Sequence, residues 1–181
     1  MSRGLGDVYK RQKQMSKDII AIWAEDKNHL IGCKDSLPWR LPKELNHFKE
    51  TTMGQVLLMG RVTFEGMNRR VLPGRQTIVL TRDSDYEAEG VLVLHSKEEV
   101  LDWFASQEKT LYIVGGARIY QSFLDVANTL LKTEVDGVFE GDTYFPEYPE
   151  SDFELVSESF FEKDDKNAYD FTVKKLIRKV K

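Results

Sequence analysis

The residues that could do chemistry gather in three places. The first is residues 30–49, LIGCKDSLPWRLPKELNHFK. Its first half, residues 30–41, reads as a loop, with Gly32, Asp35, Ser36 and Pro38 and no apolar period. Pro42 is pre-set for the first turn of a helix. Leu41, Leu45 and Phe48 fall at helical spacing, which predicts one apolar face with Glu44 on or beside it. A carboxylate in a first turn is favoured by the helix N-terminus. One turned toward an apolar wall is costly unless something donates hydrogen bonds to it. Two readings follow. Glu44 is a solvated first-turn acid, the plainer choice from this stretch alone, or it receives a ligand that offers N–H donors, beneath the loop that carries Trp39.

The second place is Gly60, Arg61 and Thr63. Residues 55–59, QVLLM, read as a buried strand that runs through Gly60-Arg61 into a helix over residues 62–67. N–H groups at the carboxyl end of such a strand suit a phosphate, and Arg61 and Thr63 can both contact an anion. The third place is Gly115-Gly116, between a strand over 110–114 and a helix over 117–123. Adjacent glycines let a backbone approach a ligand closely, and a tight turn is the plain alternative. The spacing is not GxGxxG, so the Rossmann mechanism does not apply.

The elements that must position these residues are short and alternate in type. Residues 18–25, DIIAIWAE, are β-branched and nearly continuous, a first buried strand. After the strand over 55–59, Leu72-Pro73-Gly74 forms a turn, and strands follow at 76–80 and 91–94, the former ending at Thr81-Arg82. Ser96 is a good N-cap for a helix through about Ala105, with Glu98 and Glu99 in its first turn. Beyond 110–123, residues 130–135 form a sixth strand containing Thr133, and residues 153–161 a seventh. A polar turn at 164–167 leads into an eighth, in which Tyr169, Phe171 and Val173 alternate. The last two predict an antiparallel hairpin, and the basic KKLIRKVK end a solvated strand end. The expected fold is α/β: a mostly parallel eight-stranded sheet with an antiparallel C-terminal hairpin and helices on both faces.

The chain has 181 residues, 41% of them hydrophobic, enough for one domain with a real core. A net charge of −4 argues against a general nucleic-acid binder. The lone Cys33 excludes an internal disulfide and suits a reducing compartment. The aliphatic run over residues 19–24 is too short to cross a bilayer, and nothing resembles a signal peptide. Residues 1–14, MSRGLGDVYKRQKQ, are basic and lack an apolar period. DVYKRQ resembles a translated transposon end, so they read as an artefactual leader before a start at Met15, or as a short disordered basic arm. Without them Lys+Arg falls from 26 to 22 and Asp+Glu from 30 to 29, a net −7. One domain is expected over residues 15–181.

Pro38-Trp39 closing a loop, followed by a helix with Glu44 in its first turn, resembles the dihydrofolate reductase family, in particular its bacterial type from Gram-positive organisms such as streptococci. Gly115-Gly116 and the segment Gly141-Asp142-Thr143 with Phe145-Pro146 extend the likeness, which covers roughly residues 17–179. It implies NADPH-dependent reduction of 7,8-dihydrofolate to tetrahydrofolate for one-carbon metabolism, with hydride to C6 and a proton to N5. A cytoplasmic monomer is expected, with dihydrofolate as partner and no metal, nucleic acid or membrane. Two other readings are a related pteridine or pyrimidine reductase of the same fold and a non-catalytic NADPH-binding protein. Pro38-Trp39, Glu44 and Arg75 together count against the former, and the presence of Glu44 and Trp39 against the latter.

The resemblance also implies roles. Glu44 would bind the pteridine, with Thr133 hydrogen-bonded to its carboxylate and Trp39 covering the site. Ile22 and Trp23 would floor the pteridine, Leu45, Phe48, Met67 and Leu72 would wall it and the benzoyl group, and Arg75 would bind the substrate's α-carboxylate, for which a guanidinium offers a planar pair of donors. Ala24 and Ile31 would offer backbone groups to the cofactor carboxamide. Arg61, Thr81 and Arg82 would form the site of its adenosine 2′-phosphate, Gly60 and Thr63 would border its phosphates, and the helix after Gly115-Gly116 would face its pyrophosphate, with Val114, Ala117, Arg118 and Ile119 beside it and Tyr120 near the nicotinamide. In the family the Gly-Gly bond is cis. The chain departs from the usual pattern in having Glu rather than the commoner bacterial Asp at 44, Gly66 where Ser is common, and Arg82 where a small polar residue is frequent.

Overall fold

A computed structural model describes residues 18–32, 39 and 41–179. The leader and the loop residues Asp35, Ser36 and Pro38 lie outside the described residues. In chain order the elements are β1 (Ile19–Glu25), β2 (Leu30–Gly32), α1 (Pro42–Thr52), β3 (Val56–Gly60), α2 (Arg61–Gly66), β4 (Gln76–Leu80) and β5 (Leu92–Leu94). There follow α3 (Lys97–Ala105), β6 (Leu111–Gly115), α4 (Ala117–Phe123), β7 (Thr129–Val135), β8 (Thr143–Tyr144), a 3-10 turn (Glu150–Asp152), β9 (Phe153–Phe161) and β10 (Phe171–Arg178).

Eight strands form one sheet in the order β5-β4-β3-β6-β1-β7-β10-β9. All pairings from β5 to β7 are parallel, and β10 runs antiparallel to both β7 and β9. The near-continuous apolar strands are explained by cover on both faces. On one face Ile20, Ile22, Leu57, Met59 and Val79 pack with Phe64 of α2 and the half-buried Phe48 of α1. On the other, Ala21, Trp23, Leu58, Ile78 and Ile113 pack with Val100 and Phe104 of α3 and Tyr120 and Phe123 of α4. Residues 22 and 23 therefore serve opposite faces, as the two-residue strand period demands.

Three expectations need correction. Residues 30–32 are not loop: β2 pairs antiparallel with the two-residue β8. Three residues ending in Gly carry no alternation to read, and the pairing depends on a partner more than a hundred positions away. Asp26, 1% exposed, anchors this turn by accepting the backbone N–H groups of Asn28, Leu30 and Phe139 at 2.8, 2.9 and 2.9 Å. Second, the apolar face of α1 is shifted. Leu41 is buried, but Leu45 is 50% exposed, and the buried residues of the helix are Glu44 and Thr52. Third, the basic strand end is partly tied down: Arg178 lies 4.6 Å over the Phe153 ring and donates to the carbonyls of Leu124 and Ala127. The Ser96 cap stands as read, its hydroxyl accepting from Glu99 N–H at 3.1 Å.

Candidate active site

The carboxyl ends of β1, β3 and β6 lie side by side, because β6 is hydrogen-bonded between the other two. Ligands of open α/β sheets gather at such an edge, and the segments that follow these strands bring the candidate residues there. Glu44, in the first turn of α1, is 8% exposed. Burial pushes its carboxyl up from the ordinary 4.5 to about 7. No hydrogen bond joins it to Thr133 among the described residues; Thr133 is buried on β7, in register with Ala24. Tyr120 is the ionisable group on α4 that feels Glu44: burial first, then that carboxylate, raise its hydroxyl, which donates to the Ile22 carbonyl at 2.7 Å. Trp39 is buried against Phe139, ring centroids 5.3 Å apart, and its Nε1–H has no partner among the described residues.

Ile22, Phe48, Met67 and Leu72 share one apolar cluster, so three of the expected wall residues and one of the floor residues come together. Leu45 projects from α1 with half its surface uncovered. Trp23 does not join them. Its ring stacks on Phe145 on the opposite sheet face, centroids 3.7 Å apart, and its Nε1–H donates to the buried Glu25 at 2.7 Å. Only the Trp23 backbone is left to face the Ile22 side. Arg75 stands beyond the C-terminal end of α1, donating to the Pro73 carbonyl at 3.1 Å and to Thr52 Oγ1 at 3.3 Å. Thr52 in turn donates to the Phe48 carbonyl at 2.8 Å, so the guanidinium is tied to the helix that carries Glu44.

On the sheet's other strands the glycines create room. Gly115-Gly116 is a cis peptide, and Gly115 has φ +130°. A Cβ at Gly116 would stand 3.3 Å from Thr63 Oγ1, and one at Gly60 would press on Ile119 at 3.1 Å. Side chains at either position would fill the space between the starts of α2 and α4. Arg61 pairs with Glu65 at 2.9 Å and Asp83 at 3.2 Å and lies 4.5 Å over the Tyr86 ring. Thr81 Oγ1 accepts from Asp83 N–H at 3.2 Å, and Arg82 is exposed beside it. Two cations, two hydroxyls and three glycines therefore lie at or just beyond the carboxyl ends of the neighbouring strands β4, β3 and β6, residue types that suit a phosphate-bearing ligand. Ala24 is buried, while Ile31, Val114 and Ala117 are half-buried around the same edge and Arg118 is exposed.

Comparison with known proteins shows the family. The dihydrofolate reductase family model matches residues 18–178. The chain belongs to the dihydrofolate reductase family. It is 56% identical over 160 residues to the dihydrofolate reductase of Lactococcus lactis subsp. lactis, covering 87% of this chain and 95% of that one. It is 44% identical over 140 residues to that of Enterococcus faecium, covering 77% and 84%. Among solved structures, dihydrofolate reductase from Enterococcus faecalis complexed with NADP(H) and RAB-propyl aligns with a TM-score of 0.88 at 42% identity, covering 91% of this chain and 98% of that one. The family's activity is NADPH-dependent reduction of dihydrofolate, and the kinship with Gram-positive enzymes is as expected. Asp26 and Thr52 were missed by sequence reasoning: Asp26 joins two local amides to that of Phe139, 113 positions away, and Thr52 meets a guanidinium 23 positions away, so the distant half of each contact has no local signal.

Proposed function

We propose that the chain reduces 7,8-dihydrofolate to tetrahydrofolate with NADPH, and that Glu44 is the group on which the chemistry turns. The observation that carries this is a carboxylate buried in a first helical turn, its pKa raised by that burial. A buried acid without protein donors is stabilised by a ligand that brings N–H groups, and the 2-amino group and ring N–H of a pterin are such donors. Ionised Glu44 favours positive charge on the ring in poorly solvated surroundings. That attraction is larger after N5 gains its proton than before, so it acts on the step as well as on binding. The family pattern assigns Thr133 to this carboxylate, a contact not formed among the described residues, and assigns Trp39 to closing over it and excluding water.

The half-exposed Leu45, with Ile22, Phe48, Met67 and Leu72, offers apolar cover to the pterin and benzoyl rings, and the Trp23 backbone floors them. Arg75, held by Thr52 and the Pro73 carbonyl, pairs with the substrate's α-carboxylate. NADPH, when bound, supplies the hydride. Arg61, Thr63, Thr81 and Arg82 would hold its phosphates, Gly60, Gly115 and Gly116 would let the protein backbone come close to it, and Ala24, Ile31, Val114, Ala117, Arg118, Ile119 and Tyr120 would border the rest. A monomer is the working state proposed for this chain. No helix among the described residues is long and apolar enough to cross a membrane, and a single cysteine suits the cytoplasm. The direct test follows NADPH oxidation by purified protein with and without dihydrofolate. Oxidation that requires dihydrofolate and yields tetrahydrofolate is expected, and its absence refutes the reading.

A further inference from the structure

Helix α1 starts without a cap of its own. Its N-cap residue is Leu41, which offers no side-chain hydrogen bond, and Pro42 follows at the first position. The first free amide is that of Lys43, immediately before Glu44. It donates at 3.0 Å to Asn167 Oδ1, from 124 positions away in the turn between β9 and β10.

Asn167 is itself held firmly. It is 3% exposed. Its Nδ2 and its backbone N–H donate to Asp164 Oδ1 at 2.9 and 2.8 Å, and the turn is closed by Asp164 N–H donating to the Asn167 carbonyl at 2.8 Å. Asp164 Oδ2 reaches the Lys43 ammonium at 2.9 Å. Lys43 and Asn167 hold the Asp164 carboxyl below its ordinary range. One turn of the hairpin thus grips both the amide and the side chain of the residue beside the buried carboxylate.

We propose that Asn167 is a positioning residue for Glu44: it caps α1 from the β9–β10 turn and so sets how deeply the carboxylate is seated. Asp164 fixes the rotamer of the cap. This rests on the reading of Glu44 given above. An Asn–amide bond supplies what Ser, Thr, Asp or Asn supplies from within a helix elsewhere. It does so without adding a second charge next to Glu44, since the amide is neutral. Loss of the cap lets the first turn fray, and a frayed turn hydrates Glu44 and returns its titration toward the ordinary carboxylate range.

The experiment compares the parent with Asn167→Ala and Asp164→Ala, with Lys166→Ala as the control on the same turn. Glu44 is titrated by carbon-13 carboxyl NMR, its signal assigned with Glu44→Gln, and hydride transfer is followed against pH. Asn167→Ala should lower the Glu44 midpoint by about one pH unit and slow hydride transfer at neutral pH about fivefold, the scale of losing one cap, with NADPH affinity within about twofold of the parent. Asp164→Ala, altered at an exposed turn residue, should move both in the same direction by less, and Lys166→Ala neither. Lower thermal stability alone does not move a midpoint in the folded protein. A midpoint and rate that stay at parental values in both Asn167→Ala and Asp164→Ala overturn the positioning role. If Glu44→Gln is itself within a few-fold of the parent, the reading of Glu44 fails first. If Glu44→Gln is inactive and the midpoint does not move, only the role of Asn167 fails.

Discussion

Burying Glu44 has a consequence for stability that can be measured without substrate or cofactor. The folded carboxyl titrates at about 7, against an ordinary 4.5. Its folded-state pKa is raised, so the folded chain binds the proton more tightly than the unfolded chain. The stabilising contribution is complete below about pH 4.5, declines as pH rises, and is gone above about pH 7. At 1.36 kcal/mol for each pH unit, the ionised form is disfavoured in the folded state by about 3 kcal/mol. Glu44→Gln keeps the shape and does not titrate. Urea denaturation of the parent and Glu44→Gln from pH 4.5 to 8.5 should show the variant gaining on the parent by about 3 kcal/mol across that range, nearly all of it below pH 7.5. Parallel stability curves would show that Glu44 is hydrated in the folded protein, and the burial argument would fall with them.

Two further outcomes bear on the ligand contacts. Arg61→Ala should weaken NADPH about tenfold or more, the scale of a charge-assisted hydrogen bond, and NADH far less; equal losses for both, measured by fluorescence titration, would remove Arg61 from the 2′-phosphate site. Arg75→Ala should raise the KM for dihydrofolate by about thirtyfold, near the low end expected for losing a charged partner, and barely affect small antifolates that lack the glutamate; an unchanged KM would place Arg75 outside the site.

The sheet was legible because each buried strand is a short β-branched run that ends at a Gly or a polar pair, and the C-terminal hairpin because Tyr169, Phe171 and Val173 alternate. What was not legible shares one cause: it depends on partners distant in the chain. β2 exists only through β8, and the cap on α1 comes from Asn167. The face of α1 was misjudged at Leu45 because helical spacing marks which residues are apolar and not which of them the fold covers. Trp23 reads in sequence as the neighbour of Ile22, yet strand parity sends its ring to Phe145 and Glu25, so only its backbone can share the Ile22 site. The phosphate-side residues were marked by Gly60 and Gly115-Gly116, while the pairing of Arg61 with Asp83 depends on the β4–β5 connection meeting α2; its pairing with Glu65 is a local contact one helical turn away.

The most direct test of the account is hydride transfer by the parent and by Glu44→Gln, followed in single turnovers across pH. The account predicts a loss of about 100-fold or more at neutral pH in Glu44→Gln, on the scale of general acid–base effects, with NADPH affinity nearly unchanged. The loss shrinks as pH falls, because solvent then protonates the substrate in place of the missing charge. Reduction of dihydrofolate by Glu44→Gln at neutral pH within a few-fold of the parent would contradict it, and would leave Glu44 as a first-turn helix acid with no part in the reaction.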